Sequence, residues 1–221
     1  MPQNDWRAVD EYIVDQLIMP AEGQQETLDA NRLAGLPEID VSAPQGKFLS
    51  LLAAVSGARR ILEIGTLGGF STIWLARALP AEGKIVTIEF DQTHAEVALA
   101  NIAREGLANR VDLRVGAALD VLPKIAAEGG APFDLAFIDA DKAHNADYFD
   151  WAVRLSRPGG LVIVDNVVRG GSVADPQTRD DGGLGARRLF AQVATDARVA
   201  ATALQTVGAK GWDGLLIARV K

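Results

Sequence analysis

Two apolar runs in this chain end in oxygen-bearing side chains. Phe133-Asp134-Leu135-Ala136-Phe137-Ile138 runs into Asp139-Ala140-Asp141-Lys142, and Leu161-Val162-Ile163-Val164 runs into Asp165-Asn166. The two ends are 26 residues apart, about one β-α-β unit. Both would then sit at carboxyl ends of parallel strands, where open α/β sheets place their ligands. Neighbouring strands lie about 4.8 Å apart, so Asp139, Asp165 and Asn166 could converge on one point. Two carboxylates and an amide oxygen are hard ligands, suited to magnesium, or to calcium or manganese, rather than to zinc or copper. The plainer alternative is that Asp139 caps a helix and Asp165-Asn166 makes a turn. Beside a divalent cation the ammonium form of Lys142 is disfavoured, which would let it serve as a general base. Otherwise it is a surface lysine. His144 is a candidate for the entrance, or an ordinary loop residue.

A second constellation precedes these. Glu63-x-Gly65-x-x-Gly68-Gly69 follows the apolar run Ile61-Leu62-Glu63-Ile64 and opens a helical stretch. Glycines at a strand-to-helix turn let the backbone bend tightly and let a ligand approach it. They also serve packing alone. Val86-Thr87-Ile88 ends in Glu89, 24 residues beyond Gly65. An acid there can accept both ribose hydroxyls of an adenosine ligand; the alternative is a solvated acid at a strand end. NAD and S-adenosylmethionine both fit. Leu67 stands where a pyrophosphate would want a second glycine, and S-adenosylmethionine has no phosphates, so the pattern favours it.

The elements that must position these groups follow from apolar periodicity. Trp6, Val9, Tyr12/Ile13 and Leu17 predict an amphipathic helix over 5–18, interrupted by Pro20 and Gly23. Residues 26–34 and 45–55 predict two more helices, and Pro37 to Pro44 a linker. Five short strands, 61–64, 84–88, 111–115, 133–138 and 160–164, alternate with helices over 71–79, 93–105, 119–127 and 146–155. That alternation predicts a mostly parallel sheet covered on both faces. Residues 167–183, rich in glycine, predict a long loop over the site, followed by a helix over 184–195. Residues 199–207 and 212–220 predict an antiparallel hairpin. Its tip, Lys210-Gly211-Trp212-Asp213, could wall the site, or Trp212 could be core.

Composition narrows the possibilities. The 221 residues suit one domain over 1–221, here a helical cap segment 1–57 and an α/β core 58–221. Cysteine is absent, which excludes disulfides, thiolate zinc sites and a cysteine nucleophile; two histidines in all are too few for a three-histidine metal site. The net charge of −7 argues against general binding of nucleic acid or anionic membrane. No basic stretch followed by an apolar core opens the chain, and no apolar run approaches the roughly 20 residues of a membrane helix. A cytoplasmic protein is expected.

Taken together, Ile61 to Ser71, Val86 to Glu89, Ile138 to Lys142 and Val164 to Asn166 resemble the cation-dependent O-methyltransferases, the group of catechol and caffeoyl-coenzyme A O-methyltransferases and their bacterial relatives. The resemblance runs from about Val41 to the C-terminus. It implies the Rossmann-like class I methyltransferase fold, with seven strands of which the last is antiparallel. By matching position it implies that Val41, Glu63, Gly65, Thr66, Ser71, Glu89, Ala118, Asp139 and Asp141 line an S-adenosylmethionine site, Glu89 at the ribose and Ala118 by the adenine. It further implies that Asp139, Asp165 and Asn166 hold a divalent cation, that Lys142 with Asp139 performs catalysis, and that the chain forms a homodimer. The substrate implied is a small vicinal dihydroxy aromatic, a catechol. After the Asp-Ala-Asp-Lys and Asp-Asn runs the chain reads Ala143-His144-Asn145 and Val167-Val168-Arg169-Gly170, unlike plant relatives that hold coenzyme A esters and more like the bacterial branch.

Three other readings remain at this stage. A hydroxylated tRNA base could be the acceptor, with Arg154, Arg157, Arg169, Arg187 and Arg188 as a basic patch. An NAD-dependent oxidoreductase is the reading from another class, though the chain lacks an obvious Tyr-x-x-x-Lys pair. A non-catalytic cofactor-binding protein is the third.

Overall fold

The computed structural model describes residues 3–18 and 24–221. The interruption expected at Pro20 and Gly23 lies outside the described residues. Among the described residues seven strands form one sheet: β1 (Arg60–Ile64), β2 (Lys84–Glu89), β3 (Val111–Val115), β4 (Phe133–Ile138), β5 (Ser156–Asp165), β6 (Val199–Gly208) and β7 (Gly211–Val220). Their order is β3-β2-β1-β4-β5-β7-β6. The first five are parallel, and β7 runs antiparallel to both β5 and β6. This is the Rossmann-like methyltransferase sheet that the motifs imply. Strand order reverses between β1 and β4, which opens a crevice above their carboxyl ends.

Helices cover both faces: α1 (Gln3–Leu17), α2 (Gln25–Leu33), α3 (Ala43–Val55), α4 (Phe70–Ala78), α5 (Gln92–Arg104), α6 (Ala118–Ala127), α7 (Asn145–Leu155) and α8 (Asp181–Thr195). Strand side chains point alternately to the two faces, so each strand feeds two cores. Leu62, Ile64, Val162 and Val164 join α6, α7 and α8, through Leu122, Phe149 and Leu189. Ile61, Phe137 and Ile163 join α3, α4 and α5, through Leu49, Ile73 and Ile102. Burying each such side chain contributes roughly 1.5–3 kcal/mol. Phe137 is wholly buried beside the site, and Phe137→Ala would cost about 3–5 kcal/mol.

Helix starts follow local chemistry. Ser42 caps α3, accepting from Gln45 N at 3.3 Å, and Asp91 caps α5, accepting from Thr93 N at 2.7 Å. The loop expected to run through Gly183 ends earlier, because Asp180 accepts from Gly183 N at 2.6 Å and starts α8 at Asp181. Gly182 and Gly183, which suggested loop, lie against Arg169 and Ser172 inside the helix. A Cβ at Gly185 would collide with the Lys142 carbonyl oxygen, so glycine lets α8 press against the Lys142 segment.

The N-terminal helices reach the hairpin. Asp10 of α1 accepts from Ala209 N at 2.7 Å, and Lys210 Nζ donates to the Glu38 carbonyl at 3.1 Å. The expected apolar face of α1 is largely uncovered: Val9, Tyr12 and Leu17 are exposed. Trp212 corrects both of its expected placements. It is neither in the core nor on the site; it packs over Gly171 and donates to Gln205 Oε1 at 3.0 Å. Among the described residues no helix is long and apolar enough to cross a membrane.

Candidate active site

The carboxyl ends of β3, β2, β1, β4 and β5 open on one cavity of about 850 Å³. Val41, Gly65, Thr66, Ser71, Glu89 and Ala118 line it on the side of β1, β2 and β3. Asp139, Asp141, Lys142 and Asn166 line it on the side of β4 and β5. The two constellations read separately from the sequence therefore share one space. Glu63 and Asp165 stand apart from this wall. Both are buried beneath it, at 0% and 5% exposure.

The glycine turn is fixed by its neighbours. Gly65 has φ +100°, and a Cβ there would collide with the Asp139 carbonyl oxygen, because β4 passes directly behind the turn. A Cβ at Gly68 would collide with the Asn31 amide. That amide belongs to a buried ladder: Asn31 Nδ2 donates to Asp40 at 3.0 Å, and Asn101 Nδ2 donates to Asn31 Oδ1 and to the Gly68 carbonyl, both at 2.8 Å. Gly68 thus seats α2 rather than a ligand. Asp40, at the cavity lip, is raised above the usual carboxylate range, chiefly by burial.

Glu89 is not a solvated acid. It is 8% exposed, and its Oε2 accepts from Thr66 N at 3.1 Å and Leu67 N at 2.8 Å, while Oε1 accepts from Asp91 N at 3.0 Å. One carboxylate organises the turn and keeps lone pairs toward the cavity. Glu63 lies deeper. Burial pushes its carboxyl up to about 7, against hydroxyl donors from Thr72, Thr87 and Ser71. Its side chain supports the turn from below.

At the other end, Lys142 Nζ meets Asp139 Oδ1 at 2.5 Å. Asp165 Oδ1 accepts from Asn166 N at 2.8 Å, and Oδ2 accepts from Gln45 Nε2 at 2.7 Å. Burial first, and the charge of Asp139 second, push Asp165 up to about 7. A buried acid facing a like charge is a place where positive charge is wanted. Among the described residues no three His, Cys, Asp or Glu side chains gather as a metal would need, so a cation here requires the Asn166 amide oxygen as well. Asn166 has φ +56°, a left-handed conformation that asparagine tolerates better than most residues. The donor set, all oxygen and partly anionic, fits a hard divalent ion.

Asp141 is held below its usual range. Burial opposes this, but hydrogen bonds from Tyr148 and His144 outweigh it. Burial and the same acid push the Tyr148 hydroxyl upward. Tyr148, Asp40 and Gln45 escape the sequence reading, and Arg169, read there only as part of a basic patch for RNA, lines the cavity. Tyr148 carries a signal, since it sits one helical turn after His144. Gln45 carries none. The five arginines of the RNA reading divide between the ends of the sheet: Arg157 is at the amino end of β5, paired with Asp134 at 2.5 Å, and Arg169 lies beyond its carboxyl end.

Residues 14–221 match the family model for O-methyltransferases. The chain is 48% identical over 216 residues to a catechol O-methyltransferase of Niastella koreensis, covering 98% of each. It is 50% identical over 213 residues to one of Mycobacterium tuberculosis, covering 96% of this chain and 95% of that protein. The crystal structure of an O-methyltransferase from Bacillus cereus in complex with SAH superposes with a TM-score of 0.97, at 52% identity and complete coverage of both chains. The chain belongs to the O-methyltransferase family, and the oxidoreductase and non-catalytic readings fall with that assignment.

Proposed function

We propose that this O-methyltransferase transfers the methyl group of S-adenosylmethionine to one hydroxyl of a small catechol, with a divalent cation, magnesium in the first instance, held by Asp139, Asp165 and Asn166. The observation that carries the reading is the single cavity whose wall combines the glycine turn and Glu89 with the oxygen donors at the ends of β4 and β5. The catechol O-methyltransferase relatives and the SAH complex support the donor and the substrate class.

When bound, S-adenosylmethionine supplies an electrophilic methyl group, and the cation supplies positive charge to two adjacent substrate oxygens. The chain does the rest. Val41, Ser71, Ala118 and the backbone at Gly65 and Thr66 enclose the donor, and Glu89 accepts from its ribose. Glu63 holds the turn from beneath. Asp141, oriented by Tyr148 and His144, closes the wall between the two ends. Lys142, in its neutral amine form, takes the hydroxyl proton and becomes the ammonium, and its contact with Asp139 keeps Nζ beside the ligand set. Fixing nucleophile and methyl about 3 Å apart is worth an effective molarity on the order of 10⁵ M or more. A homodimer is part of the same proposal, supported by the uncovered Val9, Tyr12 and Leu17.

The test is methyl transfer from S-adenosylmethionine to 3,4-dihydroxybenzoate with purified protein. Chelator should abolish it and magnesium restore it. An unchanged rate in chelator would remove the cation from the reaction, and transfer to bulk tRNA in place of the catechol would move the acceptor to RNA.

A further inference from the structure

Arg169 combines several features that structure alone does not reward. Its φ is +55°, in the left-handed region, where a long side chain costs about 1 kcal/mol or more. Its guanidinium lies against the first turn of α8, where a Cβ at Gly182 would overlap it, and that is the positive end of the helix dipole. Its Nε is buried without an acceptor. The nearest carboxylates, Asp180 and Asp213, stand 3.9 Å away, beyond hydrogen bonding.

Both acids already hold backbone amides, while their charges remain within ion-pair reach of the guanidinium. Asp180 Oδ2 caps α8 at Gly183 N. Asp213 Oδ1 accepts from Val168 N at 3.0 Å, Arg169 N at 2.9 Å and Gly214 N at 2.9 Å. Asp213 therefore fixes the backbone of Arg169 in its strained form and leaves the guanidinium donors unspent. The other basic side chains of the cavity wall differ: Lys142 is bonded to Asp139, and His144 to Asp141. Among the described residues of that wall, Arg169 is the cation with no hydrogen bond to an acid.

Its position matters as much. The cavity crosses the ends of β3, β2, β1, β4 and β5, four strand spacings or roughly 19 Å. Gly116 to Leu119, after β3, occupy one end, with Glu89 and the glycine turn next along the row. Arg169 occupies the other, three residues after Asn166, on the acceptor side of the oxygen donors. A guanidinium in a partly buried wall recognises a planar carboxylate with two parallel hydrogen bonds.

We propose that Arg169 is a specificity-determining residue, and that the preferred substrate is a dihydroxy aromatic bearing a carboxylate on its ring or side chain. This rests on the catechol reading above. The carboxylate reaches the free N–H groups of Arg169 while the paired hydroxyls face Asp139, Asp165 and Asn166. A neutral catechol leaves those donors unmatched, and an ammonium-bearing one meets a like charge.

The test compares 3,4-dihydroxybenzoate with its neutral near-isostere 3,4-dihydroxybenzamide, using full-length protein with magnesium and S-adenosylmethionine. The wild-type protein should favour the benzoate in kcat/KM by about tenfold or more, the worth of a charge-assisted hydrogen bond. Arg169→Gln should reduce that preference to about twofold or less, and Arg169→Lys should retain part of it. SAH affinity, measured by calorimetry in the same variants, reports whether the cavity is intact. Equal preference in the wild type overturns the proposal, as does an Arg169→Gln variant that slows both substrates equally. If the wild type binds SAH yet methylates neither catechol, the catechol reading itself fails and this inference with it.

Discussion

Gln45 and Asp165 are 120 residues apart in sequence and meet side chain to side chain, Nε2 donating to Oδ2 at 2.7 Å. The contact ties α3 to the end of β5. With Asn166 N on Oδ1, each oxygen of Asp165 has one donor and keeps a lone pair for a cation. A carboxylate held this way is aimed before any ion arrives.

Removing that aim should weaken the ion's hold. Gln45→Leu is expected to lower magnesium affinity by about tenfold or more, the usual cost of losing a partner that orients a metal ligand. Calorimetric titration of magnesium into the SAH-bound protein checks it. Unchanged affinity would mean that Asp165 needs no help from α3.

Asp165 is poised for binding at the expense of stability. In cation-free protein at pH 8 it is buried, ionised and opposed by Asp139. Asp165→Asn should therefore raise the cation-free stability, by the order of 1–3 kcal/mol, or several degrees of melting temperature. Magnesium should raise the melting temperature of the wild type and leave that of the variant unmoved. A variant that melts lower than the wild type without the cation would contradict the electrostatic picture.

Glu63 gives a pH dependence with a definite sign. Its folded-state value of about 7 exceeds the ordinary value of 4.5. The folded protein then binds the extra proton between these limits. Stability from this group is fully present below about pH 4.5 and is lost as pH rises through about 7. Asp165 adds a fall of the same sign. Glu63→Gln keeps the side chain neutral and should flatten the decline in cation-free protein by up to a few kcal/mol. Denaturant midpoints from pH 4.5 to 8 measure this. Parallel curves for variant and wild type would show that Glu63 stays ionised.

Glu89→Ala should weaken S-adenosylmethionine binding by roughly ten- to a hundredfold, since a charged acceptor is lost. The amides of Thr66 and Leu67 lose their partner as well, so the turn itself should loosen. Calorimetry with SAH reads the affinity, and amide exchange at Thr66 and Leu67 reads the turn. Wild-type affinity would reject the ribose role.

Much of this was legible in the chain because strand ends are legible. Val86 to Glu89, Phe133 to Asp139 and Leu161 to Asp165 each show an apolar run stopping at an acid, and a parallel sheet places such stops on one edge. The relation of Glu63 to the cavity was not legible, since its position in the motif does not say whether its carboxylate faces a ligand or the hydroxyls of Ser71, Thr72 and Thr87. Gln45 and Asn31 were invisible for another reason: their partners lie far along the chain, on elements that only packing brings together. The start of α8 was missed because Gly182 and Gly183 look like loop composition, whereas close contact with Arg169 and Ser172 is what excludes a side chain there.

The direct test of the site is a crystal grown with SAH and soaked in manganese, measured for anomalous scattering. One peak is expected, within about 2.0–2.6 Å of a carboxylate oxygen of Asp139, a carboxylate oxygen of Asp165 and the Asn166 Oδ1, the bonding range for hard cations. A peak elsewhere, or no peak at saturating manganese with SAH in place, would contradict the shared cation site.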